Sequence, residues 1–304
     1  MDRLEQLLRN LRDRCPELEL RTEEPMSRHT TFRIGGPARL MARVRTQEEF
    51  AAALRAAAEL NIVPFVLGNG TNVLASDGEL DRFVILTAGG LDTLERQGET
   101  DIICGAGVSL ARLATFAMEH GLTGLEFAHG IPGTLGGGMT MNAGAYGGEL
   151  RDVAVSSDYL TLAGEAGTLT GEEQQLSYRH SAYSGGDKFV TSARLRLVPG
   201  DRDQIRARME ELAQKRRNSQ PLEYPSAGST FKRPVGGYAA ALIDQCGLKG
   251  LRVGGAQVSE KHAGFVINAG GATCRDVLEL TDQIRETVLR QTGITLELEI
   301  RRLD

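Results

Sequence analysis

Leu4, Leu7, Leu8 and Leu11 recur at helical spacing, so the chain opens on an amphipathic helix. Residues 30–32 read as extended ahead of a turn at Gly35-Gly36-Pro37. Thr46, with Glu49 three residues on, is a capping box for a second helix carrying Phe50, Leu54 and Ala57 and ending at Asn61. Residues 62–67 are a short apolar run, a buried strand, and 83–87 and 101–104 read as further strands. Ser109 caps a helix with Leu110, Leu113, Ala114 and Ala117 on one face and Gly121 as its stop. Beyond a glycine-dense stretch, 153–162 and 189–197 alternate as strands do. A boundary is expected at 198–201. A helix with Ile205, Met209 and Leu212 follows, closing on Lys215, Arg216 and Arg217, where cations suit the helix dipole. Residues 237–250 give a helix ending at Gly247, and 258–268 a turn and then a strand. Thr273 and Asp276 cap a long helix with Val277, Leu280, Ile284 and Val288 inside and Gly293 closing it. The last strand, 294–302, sends Leu296, Leu298 and Ile300 one way and Glu297, Glu299 and Arg301 the other.

Composition narrows the field. A chain of 304 residues has room for two domains, and its net charge of -5 argues against a nucleic-acid surface. No apolar run approaches membrane-span length, and the charged, amphipathic N-terminus is unlike a secretory signal. Cys15, Cys104, Cys246 and Cys274 make neither a CxxC nor a zinc spacing, which fits the reducing cytosol. The histidines form no paired motif, so no metal site is expected.

The glycines change the picture most. Ten of them lie in residues 121–148, punctuated by Ile131, Pro132, Leu135, Met139, Met141 and Tyr146, as a flexible tether would not be. Backbone without Cβ admits a ligand closely and leaves N–H groups free to cradle an anion. The plain alternative is a turn-rich loop packed on itself. A second candidate, Gly68 to Asp77, runs strand, glycine turn, small polar residues. No helix of dinucleotide-fold type clearly follows it and no acidic residue stands where a ribose contact belongs, so the NAD fingerprint is not met.

Taken together, TTFRIGGPA, LGNGTNVLASD, GIPGTLGGGMTMNAGAYG, SYRHS, SAGSTFKRP and LELEIR resemble, in order over about residues 28–301, the UDP-N-acetylenolpyruvoylglucosamine reductase (MurB) family. The resemblance implies a mixed α+β fold. After an N-terminal helix and lead-in (1–27) would come a two-lobed FAD-binding domain of the vanillyl-alcohol-oxidase/PCMH type (28–199, lobes about 28–90 and 91–199). A C-terminal α+β substrate-binding domain (200–304) would follow. It further implies non-covalent FAD, with NADPH as electron donor. Leu67, Gly68, Asn69, Gly70, Thr71, Asn72, Val73 and Leu74 match the first cofactor loop. Gly130, Ile131, Pro132, Gly133, Thr134, Gly136 and Gly137 match the second. That second match continues through Asn142, Ala143, Gly144, Ala145, Tyr146 and Gly147, and Arg33 falls in a flavin-side turn. Arg179, Ser229 and Glu299 match the three catalytic positions.

The implied reaction reduces an enol ether on a UDP-sugar in peptidoglycan precursor synthesis. Arg179 suits the substrate carboxylate, and Ser229 the proton transfer, with Lys232 and the Gly228 turn as neighbours that could stabilise its alkoxide. Glu299 suits a role beside the developing charge. The spacing of Arg179 and Ser229 resembles the family's short type, which lacks an extra substrate-capping loop. His129, just before GIPG, is expected to be a polar loop residue. The expected partner is a small-molecule nucleotide sugar, with neither nucleic acid nor membrane, for a cytoplasmic monomer. Two rivals remain at this level: another FAD-dependent oxidoreductase of the same fold, or a flavin- or nucleotide-sugar-binding protein without chemistry.

Overall fold

The expected helices form, and their ends show why. In the computed structural model, which describes residues 2–304, α1 (Arg3–Arg14) starts where the Asp2 carboxylate accepts from the Leu4 and Glu5 N–H groups, and it buries Leu4, Leu7 and Leu11. In α2 (Gln47–Glu59), Thr46 accepts from the Glu49 N–H as expected. The Glu49 carboxylate, however, accepts from Arg45 rather than Thr46, so only half of the expected capping box exists. Ser109 caps α3 (Leu110–Glu119), and Gly121 stops it at φ +66°.

The sequence pattern did not announce α4 (Leu135–Met141), because three consecutive glycines lower helix propensity. Packing overrides propensity here. Leu135 and Met139 are fully buried, and a Cβ on Gly138 would come within 2.9 Å of Leu150. The glycines thus let the helix lie against its neighbours more closely than any other residue would. The remaining helices are α5 (Arg202–Ser219), α6 (Ala239–Gln245) and α7 (Cys274–Thr292). The last runs from a complete Thr273/Asp276 capping box to Gly293 at φ +73°.

Two compact units result. The first holds the chain up to Thr22, Leu40–Asn69 and Arg82–Lys215. Its core joins α1, α2 and α3 with an antiparallel sheet in the order Ala166–Thr170, Ala154–Thr161, Lys188–Arg196, Asp101–Gly105, Leu94–Gln97. The second holds Glu23–Arg39, Gly70–Asp81 and Arg216–Asp304. Its core takes Phe32, Ile34 and Leu74 from the early chain and packs them with α6, α7, Leu296 and Ile300. The chain leaves the first unit for good at Lys215, later than the boundary expected at 198–201. The reason is α5, whose Ile205 and Met209 enter the first core.

Two local expectations fail. Residues 30–33 are a turn, not extended: Arg33 N–H donates to Thr30 O (3.1 Å) and Arg33 sits at φ +56°. At the C-terminus regular strand is confined to Arg301–Leu303, which pairs in parallel with Val73–Ala75. The alternation of the preceding residues survives, with Leu296 and Ile300 buried.

Candidate active site

In the first unit the strand Phe65–Leu67 delivers Gly68 and Asn69 to residues 130–134. Asn69 Nδ2 donates to Pro132 O (3.1 Å), and a Cβ on Gly68 would strike Thr134 Oγ1. Leu67 is buried at the strand's end. Ile131 N–H donates to Ala128 O, and Thr134 caps α4 through the Gly137 N–H. Gly136 N–H donates to Ala106 O. Beyond α4, Gly144–Ala145 and Gly148–Glu149 form a tight hairpin. Its two turn residues, Tyr146 (φ +55°) and Gly147 (φ +90°), supply the paired positive φ angles of a twist-matched two-residue turn.

Asn142, matched to the second cofactor loop, ends α4. It is buried in the left-handed conformation at the end of α4 (φ 43°). Its Nδ2 donates to Glu149 Oε2 (3.0 Å) and Ser177 O (3.2 Å), and its Oδ1 accepts from Arg151 N–H (2.9 Å). Its side chain is therefore committed to the protein. Through Ser177 it fixes the turn 177–180, which carries Arg179 at φ +54° with its guanidinium 5.1 Å from the Tyr178 ring centre. A buried cluster holds that turn from both sides. Ser157 Oγ donates to Gln174 Oε1 (2.7 Å) and is hydrogen-bonded to Tyr183 Oη (2.5 Å), and Ala182 N–H donates to Gln174 O.

In the second unit the segment just after Ser229 pairs with the one that carries Glu299, although the two residues lie 70 positions apart in sequence. Phe231 bridges Leu298 in antiparallel register, Glu299 N–H donates to Thr230 O (2.9 Å), and Lys232 N–H donates to Glu297 O (2.9 Å). Thr230 is buried, its N–H donating to Gly264 O and its Oγ1 accepting from Val266 N–H. Lys232 Nζ pairs with Glu297 Oε2 (3.2 Å). From the first loop Asn72 Nδ2 donates to Glu299 O (3.1 Å), and Asn72 O accepts from Arg301 N–H (2.9 Å). Thr31 N–H donates to Gly70 O, and a Cβ on Gly70 would collide with His29 O. Val73 and Leu74 are buried in strand, with Leu74 in the second core, which leaves only their main chain to serve a ligand. Arg33 is exposed on its turn.

One residue of interest went unmarked in the sequence. Arg301 shares Glu299's side of the alternation, and no hydrogen bond, ion pair or ring contact to its guanidinium exists among the described residues. Burial alone pushes its pKa down. Strand alternation was the available signal, but it also fits an ordinary solvated face.

The comparisons with known proteins follow this division of labour. The sequence model of an FAD-binding domain matches residues 38–170, and that of the C-terminal domain of UDP-N-acetylenolpyruvoylglucosamine reductase matches residues 220–303. The reductase of Agathobacter rectalis is 46% identical, covering 97% of each chain. That of Geobacillus thermodenitrificans is 44% identical over 99% of this chain and 98% of its own. The chain belongs to the UDP-N-acetylenolpyruvoylglucosamine reductase family. The crystal structure of that reductase from Thermus caldophilus superposes with a TM-score of 0.80 at 36% identity, over 95% of this chain and 99% of that one. As a family member the chain is an FAD-binding oxidoreductase of mixed α+β fold, as its motifs implied.

The residues present fit FAD. The backbone N–H groups of residues 68–72, and those of Gly133 and Thr134, donate to no other described residue. His129 Nδ1 is buried without a partner immediately before Gly130. Free donors beside glycines that tolerate no Cβ suit the diphosphate of a dinucleotide.

Proposed function

We propose that the chain reduces UDP-N-acetylglucosamine enolpyruvate to UDP-N-acetylmuramate with electrons from NADPH, acting in the cytosol as a monomer on a small-molecule nucleotide sugar. The two glycine loops would hold FAD non-covalently, and the flavin would supply the hydride chemistry for reduction of the enolpyruvyl group. The chain's own residues orient the substrate, stabilise charge and deliver a proton. Arg179 presents a planar fork to the carboxylate into which negative charge from C2 spreads, a contact that strengthens as the charge grows. Ser229 gives the proton to C2. In its protonated form Glu299 donates a hydrogen bond to the carboxylate end of the substrate; as a bare anion it would oppose the developing charge.

The single observation that best supports the roles of Ser229 and Glu299 is the short ladder of 230–232 with 297–299. It brings the segment that follows Ser229 against the one that carries Glu299, both residues being part-buried, with Asn72 Nδ2 donating to Glu299 O. The membrane plays no part in the reading; no helix among the described residues is long and apolar enough to cross one.

The test is spectroscopic. Purified protein should be yellow, release flavin on heating, bleach with NADPH and recover its colour when the enolpyruvyl sugar is added without oxygen. Ser229→Ala should keep the first three properties and lose recovery by roughly 10²–10⁴-fold in rate. A protein that bleaches but never recovers with this substrate is some other flavoenzyme. Normal recovery in the variant removes Ser229 from the chemistry.

A further inference from the structure

The turn that carries Arg179 is held against its own backbone preference. Arg179 sits in the left-handed region at φ +54°. That region is costly for a residue with a Cβ and persists only where surrounding contacts impose it. Ser177 N–H donates to His180 O (3.0 Å) and His180 N–H to Ser177 O (3.1 Å). Those two bonds close the turn on itself without anchoring it to any other element.

Anchoring falls to the residues on either side. On one flank Asn142 Nδ2 donates to Ser177 O (3.2 Å). On the other stands Ser181, 1% exposed. A serine in a turn commonly satisfies itself locally, and Ser181 Oγ does accept from the Tyr183 N–H two residues on (3.1 Å). Its single proton, however, goes 41 positions back in the chain, to Thr140 O (2.8 Å). Thr140 lies in the last turn of α4, where carbonyls lack a partner within the helix. Ser184 completes the arrangement: its Oγ accepts from Ser181 N–H (2.9 Å) and donates to the same Thr140 O (3.3 Å). The other end of α4 is capped by Thr134, the last residue of the stretch 130–134. One short helix thus joins the second glycine loop at its start to the Arg179 turn at its end.

We propose that Ser181 is a positioning residue that, through Thr140 O, sets Arg179 for the substrate carboxylate. The proposal rests on the reading of Arg179 as the residue that meets that carboxylate. Small misplacements of an orienting group are expensive in rate, so Ser181→Ala should slow reoxidation of the NADPH-reduced holoenzyme by the enolpyruvyl sugar roughly 10- to 100-fold. Reduction by NADPH should be nearly unchanged. In steady state kcat should fall more than KM rises, because the Arg179 contact strengthens as charge builds. A double-mutant cycle gives the decisive reading. In an Arg179→Ala background, Ser181→Ala should slow reoxidation little further, because the group it positions is gone.

Reoxidation of Ser181→Ala at the wild-type rate overturns the proposal. So does equal slowing of both half-reactions, or a full additional loss in the Arg179→Ala background, since each marks Ser181 as a general structural residue. Should Ser181→Ala fail to fold, Ser184→Ala takes its place. Removing that weaker hydroxyl bond should give the same pattern at roughly threefold, and an unchanged rate there overturns the proposal equally. Should Arg179→Ala itself reoxidise normally, the reading of Arg179 falls first and takes the proposal with it.

Discussion

Arg179→Lys keeps a positive charge but loses the planar fork, so the step most affected should be transfer to substrate and not substrate binding. Stopped-flow measurement of the two half-reactions should find reduction by NADPH nearly unchanged and reoxidation by the enolpyruvyl sugar slowed by roughly 10²-fold or more. Glu299→Gln should be milder, because an amide still hydrogen-bonds. Equal slowing of both halves would make these residues general walls of the flavin pocket. Gly70→Val makes a different demand: the position has φ +61°, and the new Cβ would meet His29 O. That variant should purify colourless or misfolded, and a fully occupied yellow protein would refute the loop assignment. Asn142→Ala should behave unlike either. It removes three hydrogen bonds from a buried site in the left-handed region, a loss of about 2–4 kcal/mol, and it should lower the urea midpoint of flavin-free protein. Loss of FAD affinity with unchanged stability would restore it as a cofactor ligand. The glycine motif revealed Asn142 but not its task. A short-range pattern marks a special backbone position without saying whether the side chain turns to ligand or to protein.

Among elements, helices were legible where period and caps agreed, as in α3 and α7, and illegible where packing overruled propensity, as in the glycine helix α4. The chain around Arg33 was misjudged because alternating polar and apolar residues describe a turn as well as a strand when both bury the same Phe32 and Ile34. The strand Asp101–Gly105 offers a test at this scale. Arg196 donates to Asp101 Oδ1 (2.9 Å) and Arg194 to its Oδ2 (2.6 Å), and these bonds hold the carboxyl well below the usual carboxylate range. A folded-state pKa below the unfolded one gives stability that is complete above the unfolded value, about 4, and drains away as pH falls. Urea midpoints of wild type should therefore decline from about pH 5 downward. Asp101→Asn should decline less steeply, and identical acid limbs would show that the pair contributes nothing to folding.

For the molecule as a whole, the domain boundary was the least legible feature, since no local signal says that residues 23–39 and 70–81 will join a unit completed by the C-terminal third. Phe32, Ile34 and Leu74 are part of that unit's core, so a fragment comprising residues 216–304 alone should show no cooperative melting. A sharp transition in the isolated fragment would mean that the early segments only decorate it. The parallel pairing of Val73–Ala75 with Arg301–Leu303 has a consequence for how the protein is born. On the ribosome, at about 5–20 residues per second, the earlier strand waits roughly 10–45 s for its partner to be synthesised. A chain cut before residue 299 would keep both glycine loops but lack Glu299 and Arg301, and should bind flavin at most while remaining catalytically silent.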